Sequence, residues 1–162
     1  MTWKALSEFQ WESMGPEIIL IAAALLLLVL ELVLPKNVSR KVIGWVGLIS
    51  VVAAFVWLIT LYNHEPVNLL FGTFKLDSFS LVFKTILLIG AILVLLLALG
   101  DHTISEQSEY YTLFITALIG TMYMASSSDL ITLFVGLELL SISSYILVGI
   151  QKRTRRIFRG CT

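Results

Sequence analysis

Three ionisable side chains lie inside long apolar stretches of this sequence. Glu31 falls in EIILIAAALLLLVLELVL, Lys84 in FSLVFKTILLIGAILVLLLAL, and Glu138 in DLITLFVGLELLSISSYILVG. Carboxylates and amines in such surroundings do one kind of chemistry well. A carboxyl group held between burial, which favours its neutral form, and a nearby cation, which favours the charged form, can take up and release protons.

Depth separates the three. A helix rises about 1.5 Å per residue, which puts Glu31 roughly 6 Å from the helix end marked by Pro35. Lys84 lies roughly 8 Å into its segment on the same measure. Glu31 can reach the headgroups from there, and a lysine stem can snorkel that far. Interfacial solvation is the expectation for both. Glu138 lies about 13 Å beyond Asp129, close to the midplane of a hydrocarbon core about 30 Å thick. A glutamate cannot snorkel out from that depth. A central acidic residue costs about 2.5–3.5 kcal/mol on insertion scales, so it normally faces protein or a hydrated cavity.

The helix face around Glu138 is organised. At the helical repeat, Ser141 and Tyr145 fall within about 60° of Glu138, with Ser144 flanking them. Leu133, Leu137 and Leu140 lie elsewhere. Gly136 and Ser143 form a small-residue patch on the opposite side, suited to close helix packing. Two readings of Glu138 stay open, a proton or ion pathway and a hydrogen bond to a neighbouring helix. Lys84 is a candidate ion-pair partner, offset by only about 5 Å in depth.

The elements that must position these groups are membrane helices. The chain of 162 residues is 58% hydrophobic and only 14% charged, against about 25% charged in a typical soluble domain. A spanning helix needs about 20 apolar residues. The pattern predicts an all-α, polytopic membrane protein forming one domain over 1–162. Its five helices are expected at about 17–34, 42–62, 79–99, 110–125 and 129–150, followed by a basic tail at 151–162. Pro16 suits a first helical turn and Pro35 a stop. The fourth helix is short and opens on Tyr110 and Tyr111, which fit an interfacial belt. Asp77 and Ser80 precede or open the third helix.

Segment one reads as an uncleaved helix. Its leader carries one Lys and two Glu, its apolar run is long, and VLELVLPKN is a poor cleavage site. Lys36, Arg40, Lys41 and the tail residues Lys152, Arg153, Arg155, Arg156 and Arg159 lie on one side, with only Lys4 and Lys75 on the other. The positive-inside rule then puts the N-terminus outside and the C-terminus in the cytoplasm. Zero formal net charge gives no reason to expect a nucleic-acid partner. The single cysteine, Cys161, permits no internal disulfide, and the isolated His64 and His102 suggest no metal site. No nucleotide-binding or redox motif is present.

The stretch EYYTLFITALIGTMYMASSSDLITLFVGLELLSISSYILVGIQK, Glu109 to Lys152, resembles the antiporter-like membrane subunits of bacterial NADH-quinone oxidoreductase, respiratory complex I. FKLDSFSLVFK, Phe74 to Lys84, is similar to the same family's entry into its third helix. Within the family, GLELLSISSY looks most like the subunit N branch, where sister branches read Trp-Glu-Leu and sodium/proton antiporter subunits Phe-Glu-Ile.

The resemblance implies a proton-translocating subunit in the bacterial cell membrane, coupled to NADH-to-quinone electron transfer and partnered by other membrane subunits. It implies no bound cofactor here: NADH, FMN, iron–sulfur clusters and quinone belong to the rest of the complex. Glu138 matches the fifth-helix glutamate that pairs with a lysine on a later helix and gates proton transfer. Asp77 and Ser80 match positions that cap the third helix, a role their residue types suit. The family has roughly fourteen helices, and this chain has five. After GIQKRTRR it reads IFRGCT, where the family continues into another helix. The expectation is an N-terminal part, ended by truncation or frameshift and inactive alone. The competing descriptions are a cation/proton antiporter subunit and a non-catalytic packing fragment.

Overall fold

The computed structural model describes residues 14–33, 41–62, 67–69, 74–100 and 108–159. Five helices and one small hairpin occupy them: α1 (Gly15–Val33), α2 (Lys41–Leu61), β1 (Val67–Leu69), β2 (Phe74–Leu76), α3 (Ser78–Gly100), α4 (Ser108–Ser126) and α5 (Leu130–Arg159). His64, His102 and Cys161 lie outside the described residues.

The helices form where apolar residues run unbroken, and they stop near the prolines and polar turns that the sequence marks. α1, α2, α3 and the Leu130–Ile150 part of α5 are long and apolar enough to cross a membrane. α4 is built differently. It carries Tyr, Thr and Ser among its apolar residues, and it packs against α1, α2, α3 and α5. A helix surrounded by other helices needs no lipid-like surface, so its composition can be mixed. Tyr111 follows from this. It is fully buried on α4, with its ring edge-on to Tyr110, and it does not join the expected interfacial belt. Its ring lies against α2, where a Cβ added at Gly44 would come within 2.7 Å of Tyr111 Cζ.

The core is a set of stripes at helical spacing. On α3, besides Ser80, the buried residues are Leu81, Lys84, Leu88, Ala91, Leu95 and Ala98, stepping by three and four. On α1 they include Glu17, Leu20, Ala23 and Leu27. That spacing keeps one face of each helix turned inward. The outward faces carry Leu25, Leu28, Ile86, Leu93 and Leu97, all exposed, as a lipid-facing surface requires.

Two features differ from the sequence expectation. β1 and β2 pair antiparallel, with Val67 opposite Leu76 and Leu69 opposite Phe74, so the fold is all-α apart from this hairpin. β2 touches both α3 and α4 and marks one end of the bundle, the hairpin end. α5 continues to Arg159 rather than ending near residue 150. No Gly or Pro interrupts QKRTRRIFR, and Gln, Lys and Arg are good helix formers, so the helix runs on through the basic residues.

Candidate functional site

Lys84 and Glu138 are not brought together. Lys84 is fully buried and forms an ion pair, with a hydrogen bond, to Oε1 of Glu17 on α1. Glu138 is exposed. The expected pairing of the two is therefore corrected, and so is the expectation that Lys84 reaches the headgroups. The geometry explains the outcome. Lys84 occupies a core position of the α3 stripe, so it points inward rather than toward lipid. Cα–Cβ bonds tilt toward a helix N-terminus, and both α1 and α3 begin at the hairpin end. The lysine stem therefore runs back toward Glu17 in the first turn of α1.

Glu17 opens an apolar segment and reads from sequence as a helix-end residue. It is wholly buried instead. Its position on the Leu20–Ala23–Leu27 stripe is the signal that marks it as inward-facing. Its second oxygen, Oε2, is buried without a hydrogen-bond partner among the described residues.

Glu31 is half-buried and turned toward α4. Ser108 Oγ donates to its Oε1 at 3.0 Å, and Thr112 Oγ1 donates to its Oε2 at 3.5 Å. Two hydroxyls of a neighbouring helix thus hold its carboxylate. Asp77 lies immediately before α3, and its carbonyl accepts the first helical bond, from Leu81 N at 3.0 Å. Ser80 is buried and shares a hydrogen bond of 3.0 Å with Ser126 of α4, with either hydroxyl able to donate.

The face of α5 opposite Glu138 forms a tight seam with α4. A Cβ added at Gly120 would lie 2.8 Å from the Gly136 carbonyl oxygen, and one added at Gly136 would lie 2.9 Å from the Gly120 oxygen. Only glycine permits this backbone contact at both positions. Ser143 is buried on the same face and folds its hydroxyl back onto the Leu139 carbonyl at 2.8 Å. This is the small-residue packing that the spacing predicts. The seam turns the Glu138 face outward. Ser141 and Ser144 are half-buried there, with Ser144 Oγ donating to the Ser141 carbonyl at 2.8 Å, and Tyr145 is 75% exposed.

No family model matches the chain. Curated proteins do. It is 46% identical over 156 residues to NADH-quinone oxidoreductase subunit N of Anoxybacillus flavithermus, covering 94% of this chain and 31% of that protein. It is 48% identical over 158 residues to the subunit N of Bacillus anthracis, covering 96% and 31%. Among solved structures it matches a chain of respiratory complex I from Thermus thermophilus with a TM-score of 0.69 and 28% identity, over 82% of this chain and 28% of that one. The chain spans about a third of the length of the curated relatives it matches. With its apolar helices and bacterial relatives, it is a multi-pass protein of the bacterial plasma membrane. Over nearly its whole length, the chain is homologous to NADH-quinone oxidoreductase subunit N.

Proposed function

We propose that this chain supplies the helices of a subunit-N-type, proton-translocating module that present its proton-handling glutamate, Glu138. The observation that carries this reading is the placement of Glu138. It is exposed on the side of α5 away from the Gly120–Gly136 seam, at a residue depth that the sequence puts near mid-membrane. A carboxylate in that position is expensive unless a cation or water meets it. The open face fits a cationic side chain from the rest of the subunit, with Ser141, Ser144 and Tyr145 as polar neighbours along the path. Asp77 caps the entry to α3 beside Ser80 and holds that end of the bundle in place.

The remaining assignments follow from the same reading. The end bearing Lys36, Arg40, Lys41 and the basic part of α5 faces the cytoplasm. The partners are the other membrane subunits of a respiratory complex. NADH, FMN, iron–sulfur clusters and quinone are handled by those other parts, and this chain contributes proton movement only. By itself it does not translocate protons, because one carboxylate at mid-depth is not a path across the bilayer.

The test uses Glu138→Gln in the full-length subunit, assembled in its complex. NADH-driven proton translocation should fall to a small fraction while the complex still assembles. Unchanged translocation would sink the assignment. Proteoliposomes holding only the 162-residue chain should show no uncoupler-sensitive proton flux above empty vesicles.

A further inference from the structure

Glu138 is not the only charge that the bundle places away from water. Glu17 and Lys84 are both fully buried, and among the described residues their ion pair links α1 to α3. A buried ion pair is a poor way to hold two helices together. Desolvation cancels most of its attraction, and well-packed apolar residues of similar size generally do as well or better. Leu88 and Leu95 occupy equivalent positions on α3 one and three turns further along, so the stripe already has that solution available.

Two observations point to a ligand for the pair. The first is the unpartnered Oε2 of Glu17, a buried oxygen free to bond a proton or a water. The second is a cavity of about 400 Å³ at the hairpin end, whose polar wall includes Asp77, Ser80, Ser126, Ser127 and Ser128. It is roomy enough for water, which would gather along its serine side, since Phe79, Phe83, Met124 and Leu133 make the rest of the wall apolar. Ser80 stands one helical turn before Lys84 on the same face of α3. The Ser80–Ser126 hydrogen bond can run in either direction, which is what a hydroxyl relay requires. Ser80 and Ser126 line the cavity, and Lys84, one turn beyond Ser80, bonds Glu17.

We propose that the Glu17–Lys84 pair is a second proton-exchanging site, loaded from the hairpin end through the cavity and the Ser80–Ser126 hydroxyls. The Lys84 ammonium gives a proton to the Glu17 carboxylate. The resulting amine takes one back through the hydroxyls from water in the cavity. The carboxyl group then turns about its C–C bond, so that the re-formed ammonium bonds the bare oxygen and the proton-bearing oxygen takes the unpartnered position. One proton enters, only O–H and N–H bonds change, and the pair passes from net zero to one positive charge. The site does not depend on the role of Glu138.

The experiment reads the carboxyl group directly. The full chain is placed in lipid nanodiscs, and pH-difference infrared spectra are recorded in H2O and after a switch to D2O. A protonated-carboxyl band should grow as pH falls, persist in Glu138→Gln and vanish in Glu17→Gln. Glu17→Asp keeps the charge opposite Lys84 and should move the band rather than abolish it, which assigns the band even where the Gln variant fails to fold. Ser126→Leu replaces a relaying hydroxyl with an apolar side chain and should slow the deuterium shift of the band severalfold. A spectrum with no band that responds to either change at Glu17 overturns the proposal. So does a deuterium shift as fast in Ser126→Leu as in the parent. An error in the Glu138 assignment would show in the assembled complex and leave this spectrum unchanged, so the two readings fail separately.

Discussion

Adding one methyl group at Gly120 tests how α5 is held. The new Cβ would lie 2.8 Å from the Gly136 oxygen and 3.0 Å from the Leu140 nitrogen, and both are backbone atoms that no rotamer change can move. Ordinary contact begins at 3.4 Å, so the two helices must separate by about 0.6 Å. A gap of that order forfeits about a quarter to a half of each dispersion contact it opens. Overpacking of this kind costs about 1–3 kcal/mol. Working against it, Ala is better than Gly inside a helix by about 0.8–1 kcal/mol.

Gly90 provides the control. It is exposed on α3, and a Cβ there meets nothing within 4 Å, so Gly90→Ala reports propensity alone. Measured as a difference from Gly90→Ala, the propensity gain cancels, and Gly120→Ala should be less stable by about 1–3 kcal/mol. The assay is reversible SDS unfolding in mixed micelles, followed by helical circular dichroism. The same separation that admits a methyl at Gly120 also admits one at Gly136. The double variant should therefore cost less than the sum of the two single variants. Equal stability of Gly120→Ala and Gly90→Ala would refute the seam and, with it, the outward placement of Glu138.

Three further outcomes follow. Lys84→Ala leaves Glu17 buried without its cation and should cost about 3–5 kcal/mol in the same assay, while Glu17→Leu with Lys84→Met should cost much less. A double variant no better than the single one would mean that the pair is held by something besides its charges. Ser108→Ala removes a hydrogen bond to the half-buried Glu31 carboxylate and should cost about 1–2 kcal/mol, toward the lower part of the range for bonds to charged groups. Glu138→Gln should change the stability of this chain by no more than about 0.5 kcal/mol, as expected for an exposed position. A large loss there would place Glu138 in an internal contact of the five-helix bundle.

Periodicity made most of this fold legible. Four of the five helices lie within about two residues of where the sequence pattern puts them, and for α1, α2 and α3 length and hydropathy alone decide that the segment can span. The α5 side of the seam is legible as well, since Gly136 and Ser143 fall on one face at the helical repeat, whereas its partner Gly120 is not. Depth reasoning failed for Lys84. Distance from a helix end says how far a side chain must reach to leave the membrane. It says nothing of the direction in which that side chain points around the axis. Lys84 turned inward because it occupies a stripe position marked by Ala91 and Ala98, small residues that sit where helices meet. Glu17 escaped notice because a carboxylate in a first helical turn is ordinary in a soluble helix, where it favours the macrodipole. The hairpin was invisible for a different reason. Strands of three residues are too short to show an alternation.

Glu17, Glu31 and Glu138 are met in three different ways, and the contrast locates what α5 lacks. Glu17 has a cation, and Glu31 has two hydroxyls, each supplied by another helix of the same bundle. Glu138, the deepest of the three, faces outward. The burial of the helices follows the same division. The spanning window of α5 is 11% buried, against 28–39% for α1, α2 and α3. α5 is therefore anchored along one seam and open around the rest of its circumference. The open side holds a mid-depth carboxylate that lipid solvates poorly. Packing and charge thus call for cover on the same face. A single partner helix bearing a cation would satisfy both, whereas an apolar helix would bury the carboxylate without compensating it.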